Sequence, residues 1–248
     1  MEMTAFKTNS RPVALVTGGA SFLGSAISRK LASEGFRVAL HYQSSKTKTD
    51  KLAREIAFPG GEAVVFRADL RRVERTKGLI QAVIRRFKRL DLVINNASLF
   101  YPTPFPLASP AKWREAFNVN LFSPYFLCQA AAPWLKKSGG AVVNLTDIYG
   151  EHPILKGYSA YCASKAGLLC VTKMLGRELG PEIRVNAVSP GAIFIPKTYS
   201  RKQRENLIER SALKRQGTPE EIAEAVYFLA RHKFMTGQIL NVDGGRFL

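Results

Sequence analysis

Val13 to Gly24 reads VALVTGGASFLG, and Ser25 to Ala32 carries on as SAISRKLA. The opening apolar run, short and partly β-branched, predicts a strand covered on both faces. From Leu23 to Ala32 apolar residues recur at three-to-four spacing, which predicts a helix. Between the two, Gly18 permits a tight turn and Gly24 permits close packing of helix on strand. Strand, glycine-rich turn and helix in direct succession open a βαβ unit.

The same alternation continues along the chain. Further short apolar runs lie at Val38–Tyr42, Ala63–Phe66, Leu92–Ile94, Ala141–Leu145, Arg184–Val188 and Gln238–Val242, separated by helix-length segments such as the one carrying Leu79, Ile80, Val83, Ile84 and Phe87. Strict alternation implies parallel pairing through right-handed crossovers. The predicted fold class is therefore α/β: a doubly wound, seven-stranded parallel sheet with helices on both faces. Ligands of such sheets bind outside the carboxyl ends of the strands.

At 248 residues, with 46% hydrophobic and 23% charged residues, the chain suits one domain spanning residues 1–248. Residues 1–11 are expected to be a flexible tail, and 192–216 a segment that covers substrate. No apolar run reaches the roughly 18 to 20 residues of a membrane helix, and the start MEMTAFKTNSRP has no apolar leader, so a cytoplasmic protein is expected. Cys128, Cys162 and Cys170 have neither metal-ligand spacing nor an even count. The net charge of +18 gathers in Arg71–Arg89 and Ser200–Arg215. Such a surface suits solvated helix faces first, then anionic small molecules, lipid or nucleic acid, and no nucleic-acid-binding motif accompanies it.

The loops after the strands carry the chemistry. Free N–H groups where the first helix begins favour a pyrophosphate, so Gly18, Ser21, Phe22 and Leu23 are candidates to hold a dinucleotide. Strand two ends HYQSSKTK with no acid from His41 to Lys48, and Ser44, Ser45 and Lys46 can neutralise a 2′-phosphate, which points to NADPH. Asp69 in RADL is placed to accept from an adenine amino group. In YCASK, Tyr161 and Lys165 share a helix face, and a cation beside a phenol lowers its pKa from about 10 toward neutrality. That makes Tyr161 a candidate proton donor during hydride transfer. The stretch NNASLFYPTPF, Asn95 to Phe105, looks like an aromatic surface presented to a ligand.

TGGASFLG, NNAS, YCASK and RVNAVSPGAI together resemble the short-chain dehydrogenase/reductase family, in its order and over nearly the whole chain. The resemblance implies a Rossmann-type domain, a nicotinamide cofactor and a homodimer or homotetramer. It makes Tyr161 the general acid and Lys165 the residue that lowers its pKa and binds the nicotinamide ribose. It makes Asn120 a water-mediated proton relay. His41, Tyr42, Asp69, Leu70, Asn95, Ala97 and Ser98 would border the adenosine side, and Pro190, Gly191 and Ile193 the nicotinamide.

Two departures bear on substrate. Phe22 replaces the middle glycine of the fingerprint, and Asp147 in LTDIYG replaces the serine that orients a substrate carbonyl. A carboxylate repels a carbonyl oxygen, whereas a ring nitrogen that must be protonated suits it. NNASLFYPTPF, LHYQSS and TDIY are similar to the pteridine reductase branch, which implies that Phe100 stacks on a pterin, Ser98 contacts substrate and cofactor, and Asp147 assists Tyr161. That branch carries arginines where Phe22 and Ser44 stand, so phosphate contacts would come from Ser45, Lys46 or Lys48. One extra residue between Asp147 and Tyr161 would move Asp147 out of reach unless the loop absorbs it. The alternatives are a carbonyl reductase of the 3-oxoacyl-[acyl-carrier-protein] type and a non-catalytic nucleic-acid-binding protein on the same fold.

Overall fold

The computed structural model describes residues 11–58, 60–195 and 199–248. Its strands are β1 (Val13–Val16), β2 (Arg37–Tyr42), β3 (Ala63–Arg67), β4 (Leu92–Asn95), β5 (Ala141–Leu145), β6 (Arg184–Pro190) and β7 (Ile239–Val242). All pairings are parallel, and the order is β3-β2-β1-β4-β5-β6-β7, the doubly wound sheet that the sequence predicts.

The helices are α1 (Phe22–Ser33), α2 (Lys46–Ala57), α3 (Arg75–Phe87), α4 (Pro110–Phe117), α5 (Ser123–Ser138), α6 (Ile148–Glu151), α7 (Ser159–Glu178), α8 (Arg201–Glu209) and α9 (Pro219–Arg231), with a π-helical turn at Asn118–Phe122. They cover both faces of the sheet because strand side chains alternate with period two. Ala14 and Val16 of β1 pack with Ile27 and Leu31 of α1 and Val226 and Leu229 of α9. Val13 and Leu15 point the other way, into Ile80 and Val83 of α3 and Leu127 and Leu135 of α5. Both faces of β1 are thus dry, which is why its sequence is apolar throughout.

Strand order reverses beside β1, whose neighbours are β2 and β4, and this leaves a crevice at their carboxyl ends. Of the expected N-terminal tail, residues 1–10 lie outside the described residues. Arg11 belongs to the fold, since its guanidinium donates to the carbonyls of Gly35 and Gly60, each at 3.2 Å. Among the described residues no helix is long and apolar enough to cross a membrane.

Candidate active site

The turn after β1 is built by close approach. Gly18 sits at φ +60°, in the left-handed region, and a Cβ on Gly24 would overlap the Gly18 carbonyl. Ser21 caps α1 by accepting from Gly24 N–H at 3.2 Å, and no acid stands in the helix's first turn. From the loop after β4, the Asn96 amide donates to the Thr17 carbonyl at 2.7 Å and to Ser21 Oγ at 3.1 Å. A cleft of about 560 Å³ runs from this turn past His41, Tyr42, Gln43, Ser44, Ser45, Lys48, Leu70, Ala97 and Ser98. The glycine cradle, an acid-free helix start and a lysine-bearing far end fit a dinucleotide.

Three residues sit differently from expectation. Lys46 is engaged by Asp50 at 2.7 Å, one helical turn away, so Lys48 is the cation that lines the cleft. Asp69 is claimed by Arg71, whose Nε and Nη2 donate to its two oxygens at 2.9 and 2.8 Å, and this holds its carboxyl below the usual range. Asn95 is buried at the sheet end, donating to Asn144 Oδ1 at 2.8 Å, while the next residue, Asn96, faces the cleft. Strand alternation explains this last difference, since successive side chains point to opposite faces.

His41 supports the turn from below. Its Nδ1 accepts from Gly18 N–H at 3.1 Å, so Nε2 carries the proton and donates to the Ala68 carbonyl at 3.1 Å. Burial pushes its pKa from 6.5 down to about 4, against the pull of Ala68 and Asp69. The folded pKa is depressed, so the stabilisation is whole above the unfolded value of 6.5 and is lost as pH falls from there to about 4. The loss amounts to roughly 3 kcal/mol. Urea unfolding across that window should show this slope, and His41→Gln should flatten it; an unchanged slope would place the titration elsewhere.

A second cleft, of about 590 Å³, continues from the first and shares Leu23, Asn96, Ser98, Leu99 and Phe194 with it. It contains Asp147, Tyr161, Lys165, Phe100, Pro190, Gly191 and Ile193. Tyr149 of its wall falls within TDIY but has no role assigned there, and Leu155, Tyr199 and Leu207 stand on segments without a motif. Tyr199 and Leu207 come from the segment 192–216, of which residues 196–198 lie outside the described residues. Phe22 and Phe194 meet edge-on at 5.5 Å where the clefts join. A larger groove of about 1100 Å³ between α3 and α5 holds none of these groups.

Tyr161 and Lys165 stand one turn apart on α7, 7% and 3% exposed. Gly150 lets α6 lie against them, for a Cβ there would come within 2.8 Å of the Lys165 carbonyl carbon. That contact places Asp147, the N-cap of α6, against the phenol: the Tyr161 hydroxyl donates to Asp147 Oδ2 at 2.6 Å. The loop before α7 therefore absorbs the extra residue. Asp147 Oδ1 meanwhile accepts from Tyr149 N–H at 2.8 Å.

Electrostatics here differ from the expected lowering of the phenol by Lys165. Burial, and then the Asp147 charge, push Tyr161 well above its ordinary value. Burial also raises Asp147 against its hydrogen bonds from Tyr161 and Tyr149. Lys165 donates to the Leu145 carbonyl at 2.7 Å, and burial pulls it down to about 8. One of the three ammonium N–H groups goes to a backbone carbonyl, and the carboxyl is the phenol's hydrogen-bond partner. Together phenol and carboxyl form a buried hydrogen-bonded pair.

Phe100, 46% exposed, stacks on Tyr158 at 4.6 Å and meets Tyr161 edge-on at 4.8 Å. Tyr158 thus covers part of the ring expected to meet a ligand. The neighbouring Tyr101 donates its hydroxyl to the Lys112 carbonyl at 2.7 Å, which draws it toward α4.

Asn120 lies in the π-helical turn with its side chain committed. Its Oδ1 accepts from Leu99 N–H at 2.8 Å and Ser98 Oγ at 3.2 Å, and its Nδ2 donates to the Leu99 carbonyl and Ser164 Oγ, each at 3.0 Å. Both donors and both acceptor positions of the side-chain amide are thus taken. The side chain pins the Ser98–Leu99 loop against α7.

A family model described as enoyl-(acyl carrier protein) reductase matches residues 18–246. The chain is 36% identical over 245 residues to the granaticin polyketide synthase ketoacyl reductase 2 of Streptomyces violaceoruber, covering 96% of each. It is 34% identical to the 3-oxoacyl-[acyl-carrier-protein] reductase of Staphylococcus epidermidis, covering 95% of this chain and 98% of that one. Among solved structures, the alternative dihydrofolate reductase 1 of Brucella canis, complexed with NADP, matches with a TM-score of 0.89 and 32% identity, over 96% of this chain and 94% of that one. With the sheet order, the glycine turn and the Tyr161–Lys165 pair in place, these matches show that the chain belongs to the short-chain dehydrogenase/reductase family of oxidoreductases.

Proposed function

We propose that this chain is an NADPH-dependent reductase of a pterin-like heterocycle: a dihydropteridine, dihydromonapterin or dihydrofolate. The glycine turn at Gly18, with Ser45 and Lys48, would hold NADPH along the two clefts, and the cofactor would supply the hydride for the carbon of a ring C=N bond. Tyr161 gives its hydroxyl proton to the ring nitrogen, and Asp147, hydrogen-bonded to the phenol and raised by burial, returns a proton to it. Solvent then restores the carboxyl. Phe100 orients the ring, and Lys165 and Lys48 favour the ribose and phosphate of the cofactor. Within this reading the chain works as a single cytosolic domain in a homodimer or homotetramer, with residues 192–216 over the substrate.

The observation that carries the pterin reading is the carboxyl at 2.6 Å from the phenol, where a carbonyl-orienting hydroxyl is expected. Adjacent Thr146 offers no substitute, since it donates to the Val188 carbonyl at 2.9 Å. Reduction of a 3-oxoacyl thioester is the second reading. The names of the curated relatives support it, and they weigh more than the dihydrofolate reductase names of solved structures weigh for the first. Family membership favours either over a non-catalytic nucleic-acid-binding protein.

Loss of NADPH absorbance against quinonoid, dihydro and oxidised pterins, dihydrofolate and a 3-oxoacyl thioester separates the two. Turnover of the thioester alone would overturn the pterin reading. Phe100→Ala should raise KM for the ring substrate about tenfold or more, as loss of one aromatic stacking partner does, with NADPH affinity unchanged. Unaltered pterin kinetics would remove Phe100 from the ring's binding face.

A further inference from the structure

The C-terminal tail reaches the substrate cleft without being part of any motif. Its docking does not depend on the Arg246 side chain. Phe247 stacks on His152 at 4.1 Å, the Gly244 carbonyl accepts from Leu213 N–H at 3.0 Å, and Asp243 accepts from Gly245 N–H at 2.9 Å. Anchored in this way, the tail brings the Arg246 guanidinium between two walls of the cleft. Nη1 donates to the Leu207 carbonyl of α8 at 2.9 Å, and Nη2 lies 3.5 Å from the Tyr149 hydroxyl of α6. Tyr149 and Leu207 both line the cleft, and Tyr149 N–H is the donor that holds Asp147. The guanidinium charge also bears on the Asp147 carboxyl.

We propose that Arg246 is a positioning residue of the reductase site: it ties α8 to α6 across one end of the substrate cleft and, through Tyr149, keeps the Asp147 carboxyl set against Tyr161. A planar, charged fork reaching two elements suits this better than a lysine, which carries one point charge. The groups bearing on Asp147 are Tyr161, Cys162 and Lys165 of α7, Tyr149 of α6 and Arg246 itself. Both cations among them, Lys165 first and then Arg246, oppose the rise that burial imposes on the carboxyl.

The kinetic arm of the test rests on the reductase reading but not on which substrate is used, and a second arm needs no substrate. Hydrogen exchange on the full chain should show faster exchange in α8 for Arg246→Met, by about tenfold or more, with α1 and α3 unchanged. With whichever substrate the panel identifies, Arg246→Met should raise KM about tenfold, leave NADPH affinity unchanged, and move the pH limb assigned to Asp147 upward. Arg246→Lys should keep that limb near its wild-type place while still raising KM, because the charge remains and the bridge is lost. The proposal fails if α8 exchange, KM and pH profile all stay at wild-type values. It fails equally if KM, NADPH affinity and melting temperature worsen together in both variants, which is the signature of general packing damage.

Discussion

Tyr161→Phe is expected to lower kcat by about 10²- to 10⁴-fold with NADPH affinity unchanged. The substitution removes one hydroxyl and keeps the ring that packs edge-on to Phe100. What it takes away is the proton at the cleft surface and the donor that holds Asp147 at 2.6 Å. Single-turnover absorbance decay isolates this step from product release. A loss smaller than about fivefold would mean that the proton comes from another group, with Asp147 acting directly as the first suspect.

Asp147→Asn separates proton supply from geometry, and its two effects should have opposite signs. Asparagine keeps Oδ1 to accept from Tyr149 N–H and turns Nδ2–H toward the phenol oxygen, so the pair stays assembled with that hydrogen bond reversed, but no proton can be returned. Turnover should fall about 100-fold or more, and the pH limb belonging to the carboxyl should vanish. Stability should move the other way. Burial raises the folded pKa of Asp147 above its unfolded value. The stabilisation it allows is therefore whole below the unfolded pKa and lost as pH rises through the folded one. At neutral pH the native protein bears that loss and the Asn variant does not, so its melting temperature should be higher at pH 7 and converge with wild type in acid. An equal or lower melting temperature at pH 7 would mean that the carboxyl is stabilised as an anion. Asp147→Ser adds a further contrast: under the 3-oxoacyl reading it should improve thioester turnover, and under the pterin reading it should only lose pterin activity.

Motif residues were legible where one local rule sufficed. Gly18 and Gly24 follow from the geometry of a strand-to-helix turn, and Tyr161 and Lys165 from helical spacing. Less was legible where a side chain had a choice of partner. Asp69 found Arg71 two residues on, Lys46 found Asp50 one turn on, and Asn120 spent its whole amide on the loop and Ser164. Each satisfies a charge or polar group close at hand, and only a folded backbone shows which neighbour is within reach. Asn95 against Asn96 was a matter of strand register, legible in principle from alternation.

Sequence alone determined the sheet, its seven strands and the end of the sheet where the clefts open, because hydrophobic periodicity and turn residues act over a few neighbours at a time. Tertiary structure alone decided that Asp147 reaches Tyr161 despite a longer intervening loop, that burial and not Lys165 dominates the phenol, and that the tail puts Arg246 beside the cleft. These depend on distances between segments far apart in the chain and on how much water packing excludes, and neither is written in any local spacing.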